Sequence, residues 1–165
     1  MTTQTLPQVA HEHHERILHH VNQIPELADR LPGAAAVEVG PALNELTAFL
    51  TGTLIPHVDS AERTLYPELE RMLQNRHSMA PMRREHAEIR RLVADLATLV
   101  GQVGEGPVAI GRALALRRVM FQLYALLRIH LAEEDAYLRI IDHDLTTDAA
   151  DVLAAAMDHP GFRTA

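Results

Sequence analysis

Residues 116–141, LRRVMFQLYALLRIHLAEEDAYLRII, decide how this chain is read. Leu116, Met120, Leu123, Leu127, His130, Glu134, Tyr137 and Ile141 recur at alternating steps of four and three. That period places them on one face of an α-helix, the seam that a bundle helix turns to its neighbours. Two seam positions hold His130 and Glu134 instead of an aliphatic side chain. A carboxylate in an apolar seam is costly unless it is paired or bound to a metal. The four-residue step stacks the two side chains on one side of the helix, where one ion can take both.

Working outward, three more stretches repeat the pattern, each with one histidine on its seam. The helix before it carries Met82, His86, Ile89, Val93, Leu96 and Val100, again in steps of four and three, with Ser78 as its expected cap. A second helix is expected from about Pro41 to Leu73, with Leu43, Leu46, Leu50, Leu54, His57, Ala61 and Leu65 inward. Pro56 and Pro67 lie inside it and predict local bends on both sides of His57. The first helix is expected from about Gln8, with Ala10, His14, Ile17, Val21, Ile24 and Ala28 inward; Pro25 should kink or break it after Ile24. Gly101 to Gly106 read as a turn, and Pro107 as a first-turn residue of the last long helix, which runs to about Asp142. Thr147 to about Met157 reads as a short fifth helix. No strand alternation competes. The expected architecture is all-α: an up-down-up-down four-helix bundle over about 8–142, with a C-terminal appendage over 143–165, in one domain of 165 residues.

The two halves resemble each other. His14 precedes His57 by 43 residues and His86 precedes His130 by 44. The first and third histidines open His-x-x-Ile, ending at Ile17 and Ile89. The second and fourth close Leu-x-x-His, from Leu54 and Leu127, with an acid five residues on, Glu62 and Asp135. A lone histidine in a seam is most often a hydrogen-bonded core residue. Four of them, one per helix, at repeat-related spacing and with a partnered Glu134, point to a metal centre. The chain has no cysteine, which excludes thiolate sites, disulfides and cysteine catalysis. Imidazole with carboxylate suits iron, manganese or zinc. Four histidines with one or two acids exceed what one tetrahedral zinc uses, which favours two metals with open positions for a small ligand.

The formal charge of −7 argues against non-specific nucleic-acid binding, which needs a basic face. No apolar run approaches the ~20 residues that span a bilayer. The opening residues lack the basic and apolar regions of a secretory signal. A cytoplasmic protein without nucleic-acid or membrane partners is the expectation.

Four quoted pieces carry a resemblance: His13-His14-Glu15-Arg16-Ile17, Ile55-Pro56-His57 with Leu65-Tyr66-Pro67, Arg84-Glu85-His86-Ala87-Glu88-Ile89, and His130-Leu131-Ala132-Glu133-Glu134. No one of them is specific, but the ordered set resembles the hemerythrin-like (HHE cation-binding) family over roughly residues 8 to 142. The resemblance implies two non-haem iron ions of the Fe–O–Fe type, held by His14, His57, His86 and His130 and bridged by two carboxylates. Zinc or manganese come second. It implies a protein that binds or senses O₂ or a related diatomic or peroxide ligand. The alternatives are a di-iron enzyme of catalase, peroxidase or oxidase type acting on peroxide, NO or O₂, or an iron- or zinc-binding structural module. Whether the chain is an enzyme stays open.

At one place the sequence departs from that family. Four residues after His57, where the family has glutamate, stands Ala61; the acid comes one residue later, at Glu62. Glu134 then supplies one bridge. Glu62 is the candidate for the other if the helix is distorted near Pro56, and a solvated charge if it is not. Asp135, Tyr137 and His11 are further candidates, as ligands or as groups behind the ligands; a surface histidine and a packed core tyrosine are the plainer readings of the last two. Tyr66 reads as structural. His13, His19, His20, His77, His143 and His159 fall off the seams and are expected at the surface. The arginine pairs 83/84, 90/91 and 117/118 read as solvated helix faces.

Overall fold

The computed structural model describes residues 6–142 of the chain, with side chains over 11–139. The expected fifth helix, His143 and His159 lie outside the described residues. Those described are helical throughout, apart from short connections. The first arm is α1 (Leu6–Val21) followed by α2 (Ile24–Arg30). The break falls at residues 22–23, ahead of Pro25 and not at it. Pro25 sits in the first turn of α2, where its missing N–H leaves no bond unmade.

The second arm starts with α3 (Ala36–Phe49), five residues before the expected Pro41, which lies inside it. The Glu38 carboxylate accepts from the Ala35 backbone N–H at 3.3 Å and secures this start. The arm continues without a break through a π-turn, π1 (Leu50–Leu54), then α4 (Ile55–Ser60), a second π-turn, π2 (Ala61–Leu65), and α5 (Tyr66–Met72). The bends expected at Pro56 and Pro67 take this form. Just before each proline a backbone N–H reaches back five residues: Ile55 to the Leu50 carbonyl, Tyr66 to that of Ala61. Proline has no N–H to give and its ring crowds the carbonyl four residues back; a wider turn with one extra residue accommodates both.

The third arm, α6 (Ala80–Val100), has no side-chain cap. Ser78, expected to cap it, donates its hydroxyl to the Asn75 carbonyl at 2.9 Å instead. The fourth, α7 (Ile110–Asp142), is one unbroken helix. Pro107 lies before α7, not in its first turn. It pairs with Ala35 in an isolated bridge, where Ala36 N–H donates to Gly106 (3.0 Å) and Val108 N–H to Ala34 (2.9 Å). That bridge ties two inter-helix connections at one end of the molecule.

The arms pack as a helical bundle: α1, α2 and α6 lie against α7, and α3 against both α6 and α2. The seams face inward as their periods require. Ile17, Val21, Ile24, Leu43, Leu50, Leu54, Ile89, Leu96, Leu116, Met120, Leu123 and Leu127 are all buried in one large apolar cluster. A second, smaller cluster holds Ala61, Leu65, Tyr66, Leu69, Met79, Met82 and Leu138. Along α6 and α7, His86 and Glu134 fall between the two clusters in sequence order.

Candidate metal centre

His14 comes from α1, His57 from α4, His86 from α6, and His130 with Glu134 from α7. All five are at most 1% exposed. They form two groups whose ligand atoms lie within 4.8 Å of one another, His14–His57–Glu134 and His86–His130–Glu134. Glu134 belongs to both. Its Oε2 is 3.1 Å from His14 Nε2 and 3.4 Å from His57 Nε2. His86 Nε2 and His130 Nε2 are 2.9 Å apart.

Each histidine is held from behind at Nδ1. Asp135 Oδ1 meets His14 at 2.6 Å, Glu62 Oε1 meets His86 at 3.0 Å, and Glu85 Oε2 meets His130 at 2.8 Å. A carboxylate only accepts, so it keeps the proton on Nδ1 and leaves the Nε2 lone pair directed inward. His57 is met at 3.0 Å by His13 Nε2, an imidazole in place of an acid.

The supports follow the internal repeat. The residue just before the first histidine of each half, His13 or Glu85, holds the second histidine of the same half. The acid five residues after that second histidine, Glu62 or Asp135, holds the first histidine of the other half. The symmetry fails at one position: four residues after His130 stands Glu134, four after His57 stands Ala61, fully buried.

The sequence-based candidates thus separate. The four histidines and Glu134 converge. Glu62 lies outside both groups, 27% exposed, between His86 and the Arg90 guanidinium (3.0 Å). Arg90 also grips Asp59 at 2.8 Å, so it is an anchor for Glu62 and not a solvated face. Asp135 stands behind His14, and exposed His11 behind Asp135 at 2.9 Å. Tyr137 is half-buried against the smaller apolar cluster, in neither group. Two residues read otherwise from sequence belong here. His13, expected at the surface, is 1% exposed. Tyr66, read as structural, brings its hydroxyl 3.1 Å from His86 Nε2. Glu85 was not singled out at all. The signal for His13 and Glu85 was their shared place before a seam histidine, a polar position next to a buried one.

In the metal-free site, charge is unevenly spread. Burial opposes a charge on His14, but hydrogen bonds with Asp135 and Glu134 outweigh it and raise its pKa to about 9. Burial, then the neighbouring His57, lowers His13 to about 3; burial, then His130, lowers His86 to about 4. His57 is lowered as well, chiefly by burial. Burial pushes Glu134 up, yet its hydrogen bonds with His14 and His57 prevail and hold it well below the usual carboxylate range. An ionised carboxylate thus sits at the centre of the bundle.

Two observations test whether a cation fits this centre. Both Glu134 oxygens are wholly buried, and the imidazole nitrogens of His14 and His57 stand 3.1 and 3.4 Å from Oε2. The Nδ1 partners leave two imidazole lone pairs facing each other across the 2.9 Å between His86 and His130. Protonated His14 offsets the Glu134 charge in part, and a cation would take that proton's place and relieve the facing lone pairs of His86 and His130. The spacings agree: metal–nitrogen bonds of about 2.0–2.1 Å separate neighbouring ligand atoms by roughly 2.8–3.4 Å across octahedral and tetrahedral geometries. The donor set fits a metal.

An all-helical bundle whose four arms each turn one histidine to a shared buried carboxylate defines a cation-binding helical protein. The chain belongs to the hemerythrin HHE cation-binding domain family, whose pattern it matches over residues 5–138. No curated protein and no solved structure gives a match. Among the described residues, no helix is long and apolar enough to cross a membrane.

Proposed function

We propose that the chain is a non-haem dinuclear iron protein that binds or senses O₂ or a related small ligand. In this reading it is an up-down-up-down four-helix bundle, with one ion held by His14, His57 and Glu134 and the other by His86, His130 and Glu134. One observation carries it: a single, wholly buried carboxylate shared by two pairs of inward-facing imidazoles. Iron, when bound, supplies redox-active centres with positions open to a diatomic or peroxide ligand. The chain's own part is to orient and to exclude. Asp135, Glu85 and Glu62 aim three Nε2 atoms inward, and His13 supports the fourth. The leucines and methionines on either side keep bulk water from the centre. Binding at His14 displaces the proton that Asp135 and Glu134 favour there, so uptake weakens as pH falls.

An enzyme acting on peroxide, NO or O₂ is the second reading. The absence of a carboxylate at Ala61 favours it, because one bridge fewer leaves more room for an external ligand. Metal analysis with optical spectra of the reduced, air-exposed, and azide- or peroxide-treated protein tests both. About two irons per chain with oxo-to-iron charge-transfer bands are expected. Stoichiometric zinc without colour would overturn both readings. A spectrum that reverts on degassing supports reversible binding, and turnover of peroxide without reversal supports the enzyme.

A further inference from the structure

The second arm owes its inward face to the π-turns. At 100° per residue, Tyr66 would lie about 180° around an unbroken α-helix from His57. The extra residue in π2 takes roughly 100° out of that angle. The Tyr66 N–H bonded to the Ala61 carbonyl puts Tyr66 one wide turn below Ala61. The chain that lacks a carboxylate at Ala61 therefore offers a phenol from the next turn. Tyr66 is completely buried, and its hydroxyl is 3.1 Å from His86 Nε2, within the same range of spacings as the other inward donors. Its ring is clamped. The His86 imidazole stacks on it at 5.2 Å and 13°, and the Arg83 guanidinium sits 5.6 Å from its centroid. Arg83 is itself fixed by Glu70 at 2.8 and 3.2 Å. A phenol placed only to fill the core would need neither its oxygen among the imidazoles nor a cation against its ring.

We propose that Tyr66 is a metal ligand through its phenolic oxygen, completing the His86–His130–Glu134 group on the side where Ala61 supplies nothing. The assignment rests on the metal reading above. On binding, the phenol O–H bond is replaced by an oxygen–metal bond and the proton leaves to solvent. Burial and the charge of Glu134 keep the phenol protonated until a metal arrives.

The test is resonance Raman and visible spectroscopy of the full chain loaded with iron and oxidised, comparing wild type, Tyr66→Phe, Tyr137→Phe and Ala61→Glu. Phenylalanine keeps the ring and its packing, so Tyr66→Phe should fold. Coordinated-phenolate ring modes and a phenolate-to-iron(III) band are expected in wild type and Tyr137→Phe. Both should be lost in Tyr66→Phe while bound iron and circular dichroism persist. They should weaken or vanish in Ala61→Glu, where a restored carboxylate competes for the same position. Iron bound without phenolate modes in wild type, or with modes unchanged in Tyr66→Phe, would overturn the proposal alone. Failure of every variant and of wild type to retain iron would overturn the metal reading beneath it.

Discussion

Glu134 is the residue on which both halves of the centre depend. It is the one inward carboxylate, and it serves two groups at once. Glu134→Gln keeps its volume but removes its charge; metal content is expected to fall for both ions together, measured by elemental analysis after desalting. The outer acids behave differently. Glu85→Gln or Asp135→Asn leaves all inward donors in place and loosens one imidazole each, so metal affinity should drop about 10–100-fold with the fold retained. Loss of metal in Asp135→Asn as complete as in Glu134→Gln would make Asp135 a ligand in its own right. Without metal, stability follows the imidazoles. His13, His57 and His86 have lowered pKa values in the fold, so the unfolded chain binds more protons as pH drops below about 6.5. Their neutral forms support the fold above that pH, and this support is lost on acidification toward the folded values of about 3 and about 4 for His13 and His86. His14, raised to about 9, adds stability that is complete below about 6.5 and lost as pH rises through 9. Melting of the metal-free protein should thus peak near neutrality and fall on both sides.

At the scale of elements, the α6 and α7 seams were legible from their four-three period alone, because nothing interrupts those helices. The second arm was legible as far as Leu65: Ala61 and Leu65, expected inward, are buried. What escaped the period is Tyr66, which a regular helix projects away from the site and which π2 brings inward. The two prolines announced a distortion but not its form. Glu62 and Asp135 could be read as a repeat pair, yet which histidine each supports depends on which arms are neighbours, and that is tertiary information. His13 was missed for a similar reason: a position next to a seam is exposed in an isolated helix and buried in a bundle. The form of the distortion can be tested. Pro67→Ala restores an N–H and removes the ring that favours the wide turn. The metal-free variant should be more stable in urea, and iron should dissociate faster to a chelator, as π2 gains an α-helical alternative. Iron release at the wild-type rate would separate π2 from the proline.

At the scale of the molecule, the inward donors come from three helices and from one segment between two π-turns, so two ions sharing Glu134 would together join all four arms. Ligand binding to the folded state alone adds about 2.7 kcal/mol at a hundredfold excess over Kd. For a domain of this size that is roughly 5–10 °C, the expected fall in Tm when the ions are removed by a chelator. The layer of imidazoles also divides the apolar interior. On one side lies the large cluster that includes Ile17, Leu50, Leu96 and Leu123, on the other a handful of side chains around Leu65, Leu69, Met79 and Leu138. The larger body can hold itself together, whereas the smaller buries too little to do so and leans on the centre. Removing the ions should thus uncouple the two. Amide hydrogens between Leu65 and Met82 should exchange through partial opening, while those from Leu116 to Leu127 wait for global unfolding. The same centre that would take a small ligand is then the joint at which the molecule comes apart.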